Sequence, residues 1–422
     1  MSSPTRTVIV GAGNRGQIYA SYALSHPDEM KVVAVVEVDE FRRRQTADAH
    51  SIPPEMCFER VEELLARPKV ADAVINGTMD RQHLATTLPL LAAGYDVLLE
   101  KPIGVSEDEV RAVLASAIEH RRKVMICHVL RYAPFYAEIR RRVAAGVIGE
   151  IMNVQASESI AYDHMAAAFV RGKWNRVDKS SPMLLSKACH DLDVITWMKS
   201  GIAPKSVSSL GSLTYFRPGK APAGSGTRCL ADCRIEADCP YSARKNYCGT
   251  RKWGMYAFQD IEHLNPSLEQ KLESLATDNP YGRCVWRCDN DAVDRQSVVI
   301  DFADGCTATL NMVGGASRPG RSIHLIGTLG EIQGIMEEGC FVVRRPTPDP
   351  VREYSEERVE IDVKDNSHGG GDFLLVEDFI RVLRGEPASI STTSLEDSVN
   401  GHLIGFAAER SRTERTTIDI SD

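Results

Sequence analysis

The sequence predicts an α/β fold: an N-terminal Rossmann-type, doubly wound parallel sheet, then an α+β domain on a large, mainly antiparallel open sheet. Three observations predict it. From Thr5 to about Cys127, short β-branched runs alternate with stretches of helical period, the pattern of βαβ units. The first run, Thr7-Val8-Ile9-Val10, passes straight into Gly11-Ala12-Gly13-Asn14-Arg15-Gly16, a strand-to-helix turn through glycines. Beyond Ile151 the later strands alternate apolar and polar residues, as antiparallel strands with one wet face do.

The elements follow in order. Strands are expected at 7–10, 32–36, 73–76, 97–99 and 124–127, with helices between them at 17–24, 84–93 and 107–120. Gly94 stops the second of these helices and Ser106 caps the third. The character changes at His128, which divides the chain into domains 1–128 and 129–422. A basic helix at 136–145 and a strand from 151 to 157 open the second domain. Strands at 296–302, 306–312, 322–326 and 331–336 follow, and helices near 373–383 and 395–412 close it. Residues 216–290 are rich in Cys, Gly, Pro and Asp and weak in periodicity, which reads as an insertion.

A chain of 422 residues fits two domains. With 50 basic and 58 acidic residues the net charge is −8, which argues against a nucleic-acid partner. No apolar run reaches the length of a membrane span, and Met1-Ser2-Ser3-Pro4 leads directly toward a strand. The expectation is a cytoplasmic protein without a membrane partner. In that reducing compartment the eleven cysteines read as thiols or metal ligands rather than disulfides.

The glycine turn has a specific chemistry. Gly11 permits the sharp turn, Gly13 leaves room for phosphates to approach the backbone, and Gly16 lets the helix lie close to the strand. Asn14 and Arg15 belong to the same turn, where unpaired amides and the helix dipole favour an anion. The second strand ends in Glu37. A carboxylate there accepts the ribose hydroxyls of NAD and repels a 2′-phosphate. Arg42, Arg43 and Arg44 read as the exposed face of the next helix, with NADP recognition as the other reading. Downstream, Val97-Leu98-Leu99-Glu100-Lys101-Pro102-Ile103 is a strand that ends in a charge.

The glycine turn, Glu100-Lys101-Pro102 and Lys187-Ala188-Cys189-His190-Asp191-Leu192-Asp193 together resemble the Gfo/Idh/MocA oxidoreductases. Ile326-Gly327-Thr328-Leu329-Gly330-Glu331-Ile332 and His368-Gly369-Gly370-Gly371-Asp372 extend the resemblance over nearly the whole chain. The resemblance implies a Rossmann domain, NAD or NADP as cofactor, a sugar or cyclitol substrate, and a C-terminal open sheet used to form a homodimer or homotetramer. It also implies that Lys101 sits beside the nicotinamide and the substrate hydroxyl, where an ammonium stabilises a developing alkoxide. His190 is implied as the acid/base, a role suited to imidazole. Thr78, His83 and Glu100 are read, with Lys101, as cofactor contacts. Arg131 and Tyr132 are implied at the substrate crevice. One departure stands out. Many family members carry an aspartate four residues before this histidine, where this chain has Ser186. Serine offers a sugar a hydroxyl but no anionic charge, and Asp193, one turn after His190, is read as supplying part of that role.

Residues 162–176 read as the substrate loop, with His164, Arg171 and Trp174 as its binding groups. An indole stacks on a sugar face while polar groups take its hydroxyls, and clustered cations suit an anionic substituent. The other reading is a solvated basic loop.

Six cysteines fall within the insertion, at 229, 233, 239, 248, 284 and 288. Cys229, Cys233, Cys239 and Cys284 are the expected ligands of a structural zinc, with Cys288 as the alternative to Cys284. Unconnected thiols are the other reading. A subset of Gfo/Idh/MocA-like sequences has a similar segment with the Cys239-Pro240-Tyr241-Ser242 pattern.

Two enzymatic readings follow. One is an NAD-dependent oxidoreductase acting on a secondary hydroxyl of a sugar, glycoside or cyclitol. The alternative is a redox-neutral NAD-dependent glycoside hydrolase: transient C3 oxidation, elimination, water addition and re-reduction, possible on an anionic sugar. A non-catalytic sensor would need neither Lys101 nor His190.

Overall fold

The computed structural model describes residues 3–249, 253–259, 261, 264–362 and 370–420. His368 and Gly369 of the glycine-rich run before the last helices lie outside them.

The first sheet contains β1 (Thr5–Val10), β2 (Met30–Val36), β3 (Cys57–Phe58), β4 (Ala73–Asn76), β5 (Asp96–Leu99) and β6 (Val124–Ile126). All are parallel, in the order β3-β2-β1-β4-β5-β6. The order reverses between β1 and β4, the switch point at which doubly wound sheets open a crevice at the strands' carboxyl ends. Near-continuous burial of β1, β4 and β5 reflects helices on both faces. The Ser106 hydroxyl does cap helix Glu107–Glu119, accepting from the Glu109 amide.

The second sheet has nine strands: β7 (Ile151–Ala161), β8 (Pro204–Ser212), β9 (Arg295–Phe302), β10 (Thr307–Ala316), β11 (Gly320–Gly327), β12 (Glu331–Ile335), β13 (Cys340–Pro346), β14 (Tyr354–Glu360) and β15 (Ile418–Asp419). Their order is β14-β13-β12-β11-β7-β10-β9-β8-β15. Every pair is antiparallel except β7 with β10, so the sheet is mixed at its centre. The inward residues of β9 and β10 join one apolar core with helix Cys189–Met198.

Two features differ from the sequence reading. The insertion has a small core of its own, with Cys229, Ala243, Tyr247, Ala257, Phe258, Leu275 and Tyr281 packed on Ala167. The last two helices, Gly371–Leu383 and Leu395–Glu414, also reach the first domain: Leu375, Val376, Phe379 and Ile380 pack on one side of its sheet and Leu395, Val399 and Leu403 on the other, while Ile404, Ala407 and Ala408 of the last helix join the core of the second domain. Their apolar faces are readable in sequence, but not which of two sheets they cover.

Candidate active site

At the end of β1 the chain turns through Gly11 at φ +81°, and a Cβ there would stand 2.7 Å from the Thr78 amide nitrogen. Gly16 lies so close to the Gly11 carbonyl that a Cβ would meet it at 2.1 Å. Gly13 differs: a Cβ there would meet nothing. It opens helix Asn14–Ser25 without a side-chain cap, so the open space faces a helix N-terminus. Glu37 is buried beside this turn. Its carboxylate accepts from the Ala12 amide at 2.7 Å, the Asp39 amide at 3.0 Å and Arg42 Nη2 at 2.9 Å. The open cradle, uncapped amides and ribose-side carboxylate fit an NAD dinucleotide.

Arg15 takes a different course from a phosphate ligand. Its guanidinium pairs with Glu100 at 2.9 Å and Asp372 at 2.6 Å, tying the turn to β5 and to the first turn of helix Gly371–Leu383. Glu100 also accepts from Tyr19 Oη at 2.7 Å and from the Lys101 amide at 2.7 Å. Burial pushes its carboxyl up, and Arg15 and Lys101 outweigh that, holding it below the usual range. His83 is likewise occupied. Its ring nitrogens lie 2.6 Å from the Pro102 carbonyl and 3.0 Å from that of Thr78, so it staples the loop after β4 to the loop after β5. Thr78 itself leans on Asn76, its hydroxyl donating to Oδ1 at 2.8 Å.

Lys101 leaves β5 toward the second domain, and Nζ donates to the Ser186 carbonyl at 2.9 Å. The Ser186 hydroxyl points back to Pro182 O at 3.3 Å, so the residue in the aspartate position offers its backbone. One turn later comes His190, buried, its ring edge-on to His128 at 5.9 Å. The ligand atoms of His128, Cys189 and His190 all lie within 4.8 Å of one another. That spacing suits a metal, and a neutral imidazole is the form that ligates one. Burial pushes the Cys189 thiol up and, with Arg131, drives the His128 imidazole well down, and the Lys101 ammonium interacts with both.

Several candidates from the sequence are not in the crevice. Arg131 is 0% exposed and forms a two-pronged pair with Asp193, Nε and Nη2 donating at 2.8 and 2.7 Å. Each therefore neutralises the other, and Asp193 is not a spare carboxylate for His190. Tyr132 is buried and donates to Asp378 at 2.8 Å. Arg171 is buried in the insertion, against Cys229, Tyr241 and Tyr247. The resemblance placed Arg131 and Tyr132, and the reading of 162–176 placed Arg171, near the crevice; the need to bury and pair their polar groups turned them inward.

His164 and Trp174 do reach a common wall. His164 stacks on Trp253 at 4.6 Å, and Trp174 lies edge-on to Tyr256 at 6.4 Å. The Trp174 indole N–H reaches Asp80 at 3.5 Å, and Ser181 donates to the other Asp80 oxygen at 3.1 Å, which latches the 162–176 segment, helical from Tyr162 to Val170 rather than the expected loop, to the loop after β4. Tyr256 was missed in sequence. Burial raises its phenol, while Lys101 and Arg15 pull it down, so the hydroxyl lies within electrostatic reach of the lysine. The aromatic run Trp253-Gly254-Met255-Tyr256-Ala257-Phe258 was the available clue. A second missed group lies behind His190: Arg321 bonds Glu158 at 2.7 Å and Asp191 at 3.0 Å, and Lys187 bonds Glu158 at 3.0 Å. Burial lifts the Asp191 carboxyl to about 7 against the pull of Arg321.

The four expected metal ligands converge. Cys229, Cys233, Cys239 and Cys284 line one small cavity, while the Cys288 thiol lies against the Cys284 carbonyl at 3.3 Å.

Comparison with known proteins agrees with this architecture. An oxidoreductase family's NAD-binding Rossmann fold matches residues 5–128, and its C-terminal α/β domain matches residues 140–420. The Bacillus subtilis protein YteT, named for oxidoreductase activity, is 26% identical over 335 residues, covering 77% of this chain and 75% of that protein. The trans-1,2-dihydrobenzene-1,2-diol dehydrogenase of Sus scrofa is 33% identical over 183 residues, 43% of this chain and about half (52%) of its own length. The crystal structure of an oxidoreductase domain protein from Kribbella flavida superposes with a TM-score of 0.71 at 17% identity, over 100% of both chains, which shows a shared fold. Among the described residues, no helix is long and apolar enough to cross a membrane.

Proposed function

The chain belongs to the Gfo/Idh/MocA oxidoreductase family, and from that premise we propose that it is an NAD-dependent dehydrogenase of a ring polyol. The substrate class is a sugar, glycoside or cyclitol, oxidised at one secondary hydroxyl. The observation that carries this reading is the setting of Lys101. Its ammonium stands at the carboxyl end of β5, held by one backbone carbonyl on the turn before His190. NAD, when bound, supplies the hydride acceptor. The protein's residues do the rest. Lys101 orients the substrate hydroxyl and stabilises negative charge on its oxygen. His190 moves the hydroxyl proton. Trp174 and His164 form the apolar wall against a ring face. Glu37 favours NAD over a 2′-phosphorylated cofactor, and Gly11, Gly13, Asn14 and Gly16 supply the backbone around the pyrophosphate. A cyclic vicinal diol, the substrate in the name of the Sus scrofa relative, belongs to the same chemistry.

Three further elements complete the reading. A structural zinc sits in the cysteine insertion, remote from hydride transfer. Copies of the chain pair as a homodimer or homotetramer through the outer face of the nine-stranded sheet, where Met152, Leu210, Val299 and Val313 are exposed. The enzyme works in the cytoplasm, consistent with free cysteines throughout the described chain.

The test is incubation with NAD and a panel of sugars, cyclitols, cyclic diols and aryl glycosides, following NADH absorbance and aryl release together. NADH in proportion to substrate consumed is expected. Aryl release that needs NAD yet leaves no NADH would overturn the dehydrogenase in favour of the glycosidase cycle.

A further inference from the structure

Arg171 is a buried cation with no carboxylate. It is 2% exposed. Its donors end on the Arg283 carbonyl at 2.7 Å, the Tyr241 carbonyl at 2.9 Å, the Tyr247 hydroxyl at 3.2 Å and Cys229 Sγ at 3.3 Å. No acid pairs with it among the described residues. Burying a guanidinium with only neutral partners is unfavourable. The cavity beside it is lined by Cys229, Cys233, Cys239 and Cys284, and the space between them is close to that of one water-sized sphere. Two more donors line the same cavity without an acceptor, Trp286 Nε1 and Ser225 Oγ. The carboxylate at its rim, Glu236, accepts from Ser242 rather than from Arg171. With one charged donor and two idle ones around four sulfurs, and Glu236 at the rim already held by Ser242, the interior of the site offers Arg171 no anion, and thiolate sulfurs would provide it.

We propose that these four cysteines bind one divalent ion of the zinc class as thiolates, that Arg171 is its buried counter-charge, and that this centre sets the position of an aromatic wall over Lys101. The inference rests on the zinc reading above and adds the charge balance and its consequence for the active site. Four thiolates around a divalent ion carry a net charge of −2, and one arginine halves it. Four protein ligands leave no open coordination position, as in structural sites. The sulfurs are held less closely than the 4.8 Å grouping at His128, Cys189 and His190, so metal binding draws their segments together.

The consequence reaches the crevice because Arg171 lies between two wall residues in the chain. Phe169 and Trp174 contact at 6.3 Å, Trp174 and Tyr256 at 6.4 Å, Tyr256 and Trp253 at 5.7 Å, and Trp253 and His164 at 4.6 Å. The insertion thus supplies Trp253 and Tyr256 to a wall whose other half grows from the Arg171 segment. Fixing the insertion at Arg171 fixes both halves.

The test uses the full chain expressed with added zinc. Elemental analysis is expected to give one zinc per chain. Cobalt added after chelation should develop the thiolate charge-transfer band. Arg171→Met should weaken metal binding by about tenfold or more while Arg171→Lys restores most of it, in line with the usual effect of a ligand-supporting group. Loss of metal should change tryptophan fluorescence and protease sensitivity of the insertion, with NAD affinity unchanged. A folded, NAD-binding protein without metal and without a cobalt–thiolate band would overturn the site. Metal bound equally well by Arg171→Met would overturn the counter-charge, and unchanged fluorescence and proteolysis on metal removal would overturn the link to the wall. None of these readouts depends on turnover, so they stand apart from the dehydrogenase assay.

Discussion

Arg131 and Arg171 began as equivalents, two cations near the crevice, and the structure buries both. Arg131 has both oxygens of Asp193. Arg171 has carbonyls, a phenol and a thiol. The difference teaches that a buried guanidinium states what must lie next to it. Where the sequence supplies a carboxylate the pair is a fixed part of the interior. Where it supplies sulfurs, a metal held as thiolates is the balance we propose. Lys101 is the third cation in this set, and it is the one left available, tethered by a single carbonyl.

The comparison is broken most directly at Asp193. Asp193→Ala leaves the buried Arg131 charge with only Asp397, 3.9 Å away and partly exposed, as an anion, and urea unfolding should report a loss of about 3 kcal/mol. An Arg131→Met/Asp193→Leu double variant should recover much of it, since removing both charges removes the penalty. If Asp193→Ala unfolds like the parent, buried charge is not the principle separating these arginines. Lys101→Ala should behave in the opposite sense. Its unfolding curve should move little, while kcat falls by about a hundredfold to a thousandfold, the usual effect of deleting a group that stabilises developing oxyanion charge. Comparable loss of stability and of rate would mean that Lys101 is another structural cation.

Glu37 sharpens the comparison at a half-buried position, because its partner Arg42 is 29% exposed at the side chain. Removing the carboxylate frees Arg42 toward a 2′-phosphate. Glu37→Ser should lower the NAD-to-NADP preference in kcat/KM by at least about tenfold, the scale of one charged contact of about 1.4 kcal/mol. An unchanged ratio would show that Glu37 serves only the Ala12 and Asp39 amides.

Legibility follows the range of the interactions. The parallel strands were readable because β-branched runs and glycine turns are local, as was the Ser106 cap. Lys101 was readable as the residue that ends a strand. The four cysteines were readable as a set because thiols in one insertion have few other uses. The Arg131–Asp193 pair was not, because its partners are 62 residues apart and both residue types also suit a surface site. Nor was the contact that the last two helices also make with the first sheet, since an apolar helix face does not name its partner. Tyr256 escaped for the same reason: its chain position lies far from Lys101, and only the folded insertion brings them close.

The smallest expected effect is a pH dependence, and it extends the argument from arginine to histidine. His402, on helix Leu395–Glu414, accepts from the Ile103 amide through Nε2 at 2.9 Å and donates through Nδ1 to the Ser398 carbonyl at 2.7 Å. It holds the loop that follows Lys101. These bonds require the neutral ring. Burial, reinforced by His128, pushes His402 down to about 3, below the value of about 6.5 for an unfolded histidine. Between those values the unfolded chain binds a proton that the native chain refuses. The contribution is complete above about pH 6.5 and is lost as pH falls toward 3, at up to about 1.4 kcal/mol per pH unit. His402→Gln keeps an acceptor for Ile103 but cannot titrate. Its stability should fall less steeply than the parent's across that window in urea titrations at stepped pH. Parallel curves would mean that His402 is already protonated in the fold, and that a buried cation there has found an anion, as Arg131 has.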